Sequence, residues 1–365
     1  MKLSRRNFLN LLLYSSLFPN YGRYLFAKEK NKTKKKPVLV LIELRGGNDG
    51  LNTIIPFKNQ IYFSQRPNIA INDHFKLNSE LGLNSNMEEL LPLWKERKLT
   101  FALGVGWPNP NRSHFKAMDQ WSTGNEKGVG EGWLAKLSNS LKNDQSLLSL
   151  GPTGSNSIEG ENVNTLHLFG NVRNVNEILN YKTNEIYKNR KVLEQFLKVD
   201  EFSNREINRI RNEIQTLPKE IRIPRGMLSK QTEMALKLIN TTNPPSFMQM
   251  ELNGFDTHQN QLKRHNKKLK ELSQNIYTLK KGAEKLKDNI DLNIVVTSEF
   301  GRRLKENGSL GTDHGSASIA LLIGDSFTEE FIGYYPSLKE VDSRGDLIPN
   351  LSPINLYSYI AKKIW

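Results

Sequence analysis

Pro37-Val-Leu-Val-Leu-Ile-Glu-Leu44 is an almost unbroken apolar run that empties into the glycine-rich stretch Arg45-Gly-Gly-Asn-Asp-Gly-Leu-Asn52. A strand that is apolar at successive positions is buried on both faces, as strands inside parallel sheets are. Its glycine-rich exit delivers polar groups to the carboxyl end, where open α/β sheets collect their chemistry. Working outward, Leu99 to Val105, Ser246 to Leu252, 292–298 and 318–323 read as further strands. Met87 to Arg97 and Leu356–Ile364 read as helices, and another starts at His114 with Ser113 as its cap. Leu262, Leu269, Leu272, Ile276, Leu279, Ala283 and Leu286 recur at helical spacing, with lysines on the opposite face. Strands alternating with helices predict an α/β fold: a doubly wound, mostly parallel sheet with helices on both faces. Residues 174–240, highly charged and broken at Pro218 and Pro224, read as a helical insertion on one face.

The 365 residues hold no cysteine, which excludes disulfides, thiolate–metal sites and a Cys nucleophile. The net charge of +14 is unevenly placed. Residues 1–36 carry ten Lys/Arg against Glu29 alone, or +9, which leaves +5 for the remainder. No basic stripe with interleaved aromatics stands out there, so nucleic acid is not an expected partner.

The basic first segment has another reading. Ser4-Arg5-Arg6-Asn7-Phe8-Leu9 sets a twin arginine before a short apolar run, Phe8 to Phe18. That run is short for a bilayer span and fits the apolar stretch of an export signal. The motif resembles the twin-arginine signal of proteins exported after folding. Residues 1–27 are therefore expected to be the signal, with cleavage near Ala27, and 28–36 a basic linker before a domain at 37–365. The translocation machinery is the expected partner, the periplasm or beyond the destination, and membrane contact is confined to the signal.

Strand-end segments bring acids and histidines together in sequence: Asp49, then Asp256 and His258, then Glu299, then Asp313 and His314. Asp, Glu and His without cysteine suit zinc, manganese, magnesium or calcium. Each has a plain structural alternative, as turn residue, helix cap or ion-pair partner. Of the other histidines, His74, His167 and His265 lack site context, and His265 on its lysine-rich helix is expected to be solvated. His114, in Arg112-Ser-His-Phe115, opens a helix whose N-terminus suits either an anion or a simple cap. Arg45, Arg112 or Arg302 can hold an anionic group through the guanidinium fork.

Arg45-Gly-Gly-Asn-Asp-Gly-Leu-Asn-Thr53, Arg112-Ser-His-Phe115 with Asp119 and Trp121, Gly254-Phe-Asp-Thr-His258, and Thr297-Ser-Glu-Phe-Gly-Arg302 with Gly311-Thr-Asp-His-Gly315 together resemble the bacterial domain-of-unknown-function family 1501. The resemblance runs from about residue 37 to 325. It implies the alkaline-phosphatase-like fold, shared with phosphatases and sulfatases, and metal ligands on strand-end loops. Carried over by position, Asp49, Asp256, His258, Glu299 and His314 are the implied ligands, with Asp313 beside them. Phe300 stands where the superfamily has a histidine. No hydroxyl adjoins Asp49; the nearest is Thr53, which joins His114 and Arg302 as candidate catalytic residues. The resemblance implies an exported, metal-binding hydrolase of phosphate or sulfate esters. The alternative is a catalytically degenerate member serving as a cell-envelope binding or assembly protein.

Overall fold

A computed structural model describes residues 35–168 and 191–365, with only the helical backbone for 191–200. The export signal, the linker up to 34 and the first part of the expected insertion lie outside the described residues. Thirteen strands are described. The first seven are β1 (Lys36–Arg45), β2 (Ile54–Ile55), β3 (His74–Lys76), β4 (Gly82–Asn84), β5 (Leu99–Val105), β6 (Leu147–Ser149) and β7 (Thr165–His167). The rest are β8 (Phe247–Asn253), β9 (Ile290–Ser298), β10 (Arg302–Glu306), β11 (Thr312–His314), β12 (Ser318–Ile323) and β13 (Phe331–Ile332).

Eight of them form one sheet in the order β13-β5-β12-β9-β1-β8-β6-β7. β1 lies at its centre, parallel to β8 on one side and to β9 on the other. This explains why its apolar run is continuous. Val38, Val40, Ile42 and Leu44 pack on one face with Leu269, Leu272, Ile276 and Leu279 of the helix Gln261–Leu286. Leu39 and Leu41 pack on the other with Trp121, Trp133, Leu356 and Ile360. Helices thus cover both faces, as the strand–helix alternation predicts. Truncating a core contact such as Ile276 to Ala would cost about 2–5 kcal/mol.

The apolar run at 318–323 is the sheet's antiparallel member, pairing with both β9 and β5. Parallel and antiparallel strands buried on both faces have the same composition, so the sequence does not separate them. The small sheet β2-β4-β3 and the hairpin β10-β11 also escaped sequence reading, because strands of two to five residues leave little periodicity. The expected helix at 87–97 divides into a 3-10 turn, Ser85–Leu90, and a short helix, Leu91–Lys95, which opens around Pro92. Within 174–240 the described helices are Lys191–Glu213 and Ser229–Ile239. The second is a core layer: Ala235, Leu236, Leu238 and Ile239 are buried, and Thr232 donates to Asn275 Oδ1 at 2.8 Å. Among the described residues no helix is long and apolar enough to cross a membrane.

Candidate metal centre

Parallel neighbours end at the same edge, so β1, β8 and β9 deliver their exit loops side by side. Gly46 and Gly47 follow β1 with φ of +112° and +80°. A Cβ on Gly46 would lie 2.2 Å from the Asp256 backbone nitrogen, so only glycine lets the two loops touch. Gly46 N–H donates to Glu299 Oε1 at 3.1 Å, fixing the residue after β9 against the residue after β1.

Over this edge six of the nine candidate residues meet: His114, Asp256, His258, Glu299, Asp313 and His314. Ligating atoms of His114, Asp256 and His314 lie within 4.8 Å of one another. His258 Nε2 is 2.9 Å from His314 Nε2, and each lies 3.1 Å from Asp256 Oδ1. The far nitrogens of both rings face acceptors. His314 Nδ1 is 2.9 Å from the Arg112 carbonyl oxygen, and His258 Nδ1 is 3.4 Å from Asp313 Oδ1. Protons held at Nδ1 leave both Nε2 lone pairs pointing at each other and at a carboxylate oxygen. A proton can bridge one pair of these atoms; a metal ion serves all three. Their separations approach the edge of about 3.3 Å expected of tetrahedral ligands at about 2.0 Å from zinc. A ring nitrogen oriented by a carbonyl or carboxylate is also the usual outer support of a metal-bound histidine. The cluster therefore suits a divalent metal.

Electrostatics agree with that geometry. Burial works against the Asp256 charge, but the hydrogen bond and charge of Arg302, with His314 and His258 close by, bring its pKa down to about 2. Burial lowers His314 below the usual histidine range, which favours its neutral ring. His114 is raised by its hydrogen bond to Glu299 Oε1, while its Nε2 sits 3.6 Å from Asp256 Oδ2. Glu299 Oε2 is buried without a hydrogen-bonding partner among the described residues. Phe300 is the wall of the site, its ring 4.4 Å from that of His314 and 5.2 Å from that of His114. An imidazole is thus supplied beside Glu299 after all, from a different segment.

The other three candidates, Asp49, Thr53 and Arg302, are buried in supporting positions. Asp49 is buried, with Oδ2 taking Arg66 at 2.6 Å and Gln261, and Oδ1 taking the backbone N–H groups of Leu51 and Asn52. Burial opposes its ionisation, yet Arg66, His265 and these bonds hold it below the usual carboxylate range. With both oxygens used it is not placed to ligate; it braces. Gln261 accepts from Thr257 and Thr312 through Oε1, and these adjoin Asp256, His258, Asp313 and His314. Thr53 is also buried and donates to the Asp49 carbonyl. Arg302, its side chain fully buried, spends its donors on the carbonyls of Gly46, Gly47, Phe255 and Thr312 and on Asp256. It organises the loops, held by five acceptors from three segments of chain.

His265, expected to be solvated, is 1% exposed and reaches Asn48 Oδ1 at 2.9 Å, because its helix face turns toward the β1 exit. Sequence reasoning missed Arg66, Gln261 and the Arg112 carbonyl. Arg66 and Gln261 lie outside the quoted motifs, and a backbone acceptor such as the Arg112 carbonyl leaves no residue-type signal.

The α/β sheet with a His/Asp/His cluster at its carboxyl edge defines the class. A family model described as "Protein of unknown function (DUF1501)" matches residues 103–326, and the chain belongs to that family. A search of the curated proteins returns no significant match. Among solved structures, the lipooligosaccharide phosphoethanolamine transferase A (EptA) of Neisseria meningitidis is similar at TM-score 0.41 and 10% identity, covering 92% of this chain and 56% of that one. This chain therefore spans little more than half of that integral membrane protein. The C-terminal periplasmic domain of EcEptC from Escherichia coli, in complex with Zn, is similar at TM-score 0.42 and 11% identity, over 88% and 80% of the two chains. Ps i-CgsB in complex with k-i-k-neocarrahexaose gives TM-score 0.41 and 12% identity over 91% and 73%. The likeness is loose at these scores, and the fold class rests on the sheet itself.

Proposed function

We propose that the chain is an exported, metal-dependent hydrolase of phosphate or sulfate esters that works in the periplasm. The observation that carries this is the convergence of His258 Nε2, His314 Nε2 and Asp256 Oδ1, each within 3.1 Å of the other two. Asp256, His258 and His314 would hold the metal, and two imidazoles with one carboxylate favour zinc over magnesium or calcium. A divalent metal there supplies positive charge to an ester's oxygens and acidifies water.

The chain's own groups do the rest. Glu299 orients His114 through Nδ1, so that Nε2 can take or give a proton over the cluster. With Thr53 buried and bonded to backbone, no covalent step is assigned to it, and water is the attacking group. That same burial favours a second reading, a degenerate member that binds in the cell envelope without catalysis.

The test is elemental analysis of the purified full chain, with assays on phosphate and sulfate monoesters beside His314→Ala. Stoichiometric metal and hydrolysis that the variant loses are expected. Metal without hydrolysis supports the binding reading, and neither metal nor activity sinks the enzyme. Export through the twin-arginine machinery is tested by replacing Arg5 and Arg6 with lysine and following the protein by cell fractionation.

A further inference from the structure

Four arginines lie on the segments that build this edge, and their guanidinium groups are not equally engaged. Arg302 is buried among five acceptors, and Arg45 is tied to Glu43 at 3.0 Å and to the Gly154 carbonyl at 3.1 Å. Arg112 and Arg303 are different. They approach one buried carboxylate from two segments: Arg112 contacts Asp346 Oδ2, and Arg303 Nε lies 3.3 Å from Oδ1 without the alignment of a hydrogen bond. Asp346 is 1% exposed at its side chain, against 27% for Arg112 and 32% for Arg303, so both arginine side chains keep some surface in contact with solvent.

Their donors are largely unspent. Among the described residues the Arg303 side chain makes no hydrogen bond and that of Arg112 makes only the one to Asp346; the Nε atoms of both are buried and unpartnered. The pair is tied to the cluster through backbone. Arg112 orients His314 through its carbonyl, and Arg303 adjoins Arg302, which pairs with His314 across the β10-β11 hairpin.

We propose that Arg112 and Arg303, joined through Asp346, form a clamp for the tetrahedral oxyanion of the ester beside the metal. This rests on reading the cluster as a metal-dependent esterase site. Among the acids and arginines, Asp256, Glu299, Asp313 and Asp346 carry four negative charges and Arg112, Arg302 and Arg303 three positive. The set is therefore −1 alone and +1 with a divalent metal. Anion binding follows metal binding, and guanidinium forks match phosphate or sulfate oxygens in pairs. Arg303 touches the oxyanion, while Asp346 is a positioning residue.

The experiment is calorimetric titration of the zinc-loaded full chain with inorganic phosphate and, separately, sulfate. Arg303→Gln is compared with Lys305→Gln, which removes an exposed charge from the same hairpin strand. R303Q should bind its preferred anion about ten-fold or more weakly at wild-type zinc stoichiometry, which also reports an intact fold, with K305Q within about two-fold of wild type. The clamp is overturned if R303Q binds like the wild type, if K305Q loses as much, or if the wild type binds neither anion. If the wild type holds no zinc, the metal reading fails separately, and the clamp is judged by the same R303Q comparison at low salt. A preference between the two anions names the ester class.

Discussion

His258 and His314, 56 residues apart in sequence, face each other through their Nε2 atoms at 2.9 Å, with each Nδ1 turned to an acceptor. Such an approach of lone pairs costs energy unless a cation lies between them, so the supports behind each ring should matter to metal affinity. Removing one support, in Asp313→Ala, should weaken zinc binding about 10–100-fold without unfolding a residue that is half exposed. Competition with a chelator measures it, and unchanged affinity would mean the carboxylate does not orient His258.

The Asp49–Gln261 contact extends that logic to the floor of the site. Gln261→Leu leaves the Thr257 and Thr312 hydroxyls and one Asp49 oxygen without their shared partner. A loss of about 1–3 kcal/mol per orphaned buried group is expected in denaturant unfolding, together with weaker metal binding. Loss of stability with full metal affinity would confine Gln261 to folding.

Gly47 tests the Phe300 wall. Its φ of +80° disfavours any side chain, and a Cβ would sit 2.3 Å from the Phe300 ring. Gly47→Ala should cost about 1–3 kcal/mol from overpacking and push Phe300 toward His114 and His314, lowering metal occupancy. Wild-type stability and occupancy would show the loop giving way instead.

His265 gives a pH dependence away from the metal ligands. Burial lowers its pKa to about 4 from the ordinary 6.5, with Asp49 opposing and Arg302 and Arg66 reinforcing. Between those values the unfolded chain binds the extra proton, so stability rises with pH. The contribution is complete above pH 6.5 and disappears as pH falls toward 4, about 3 kcal/mol in all. His265→Asn should therefore lose less stability than the wild type between pH 7 and 4.5, and parallel curves in urea unfolding would refute it.

Much of the centre was legible in the sequence, since Asp256/His258 and Glu299 each follow an apolar run that reads as a strand, and Asp313/His314 precede another. The fate of Asp49 was not. Its partner Arg66 stands 17 residues on, at the end of a short helix, and nothing in the sequence distinguishes an acid that ligates from one that braces. Arg302 and Arg303 are adjacent and chemically alike, yet one is buried under five acceptors and the other is open. Neighbouring residues of a strand point to opposite faces, and which face is inside depends on the pairing of β10 with β11.

By itself, then, the sequence determined the α/β class, the central place of residues 37–44 and the set of strand-end side chains available for chemistry, because periodicity and residue type are local properties. Tertiary structure decided the antiparallel sense of β12, the withdrawal of Asp49, Thr53 and Arg302 into support, and the roles of the Arg112 carbonyl and Asp346. Those outcomes depend on which distant acceptor lies within about 3 Å of a given donor, a length that chain spacing does not encode.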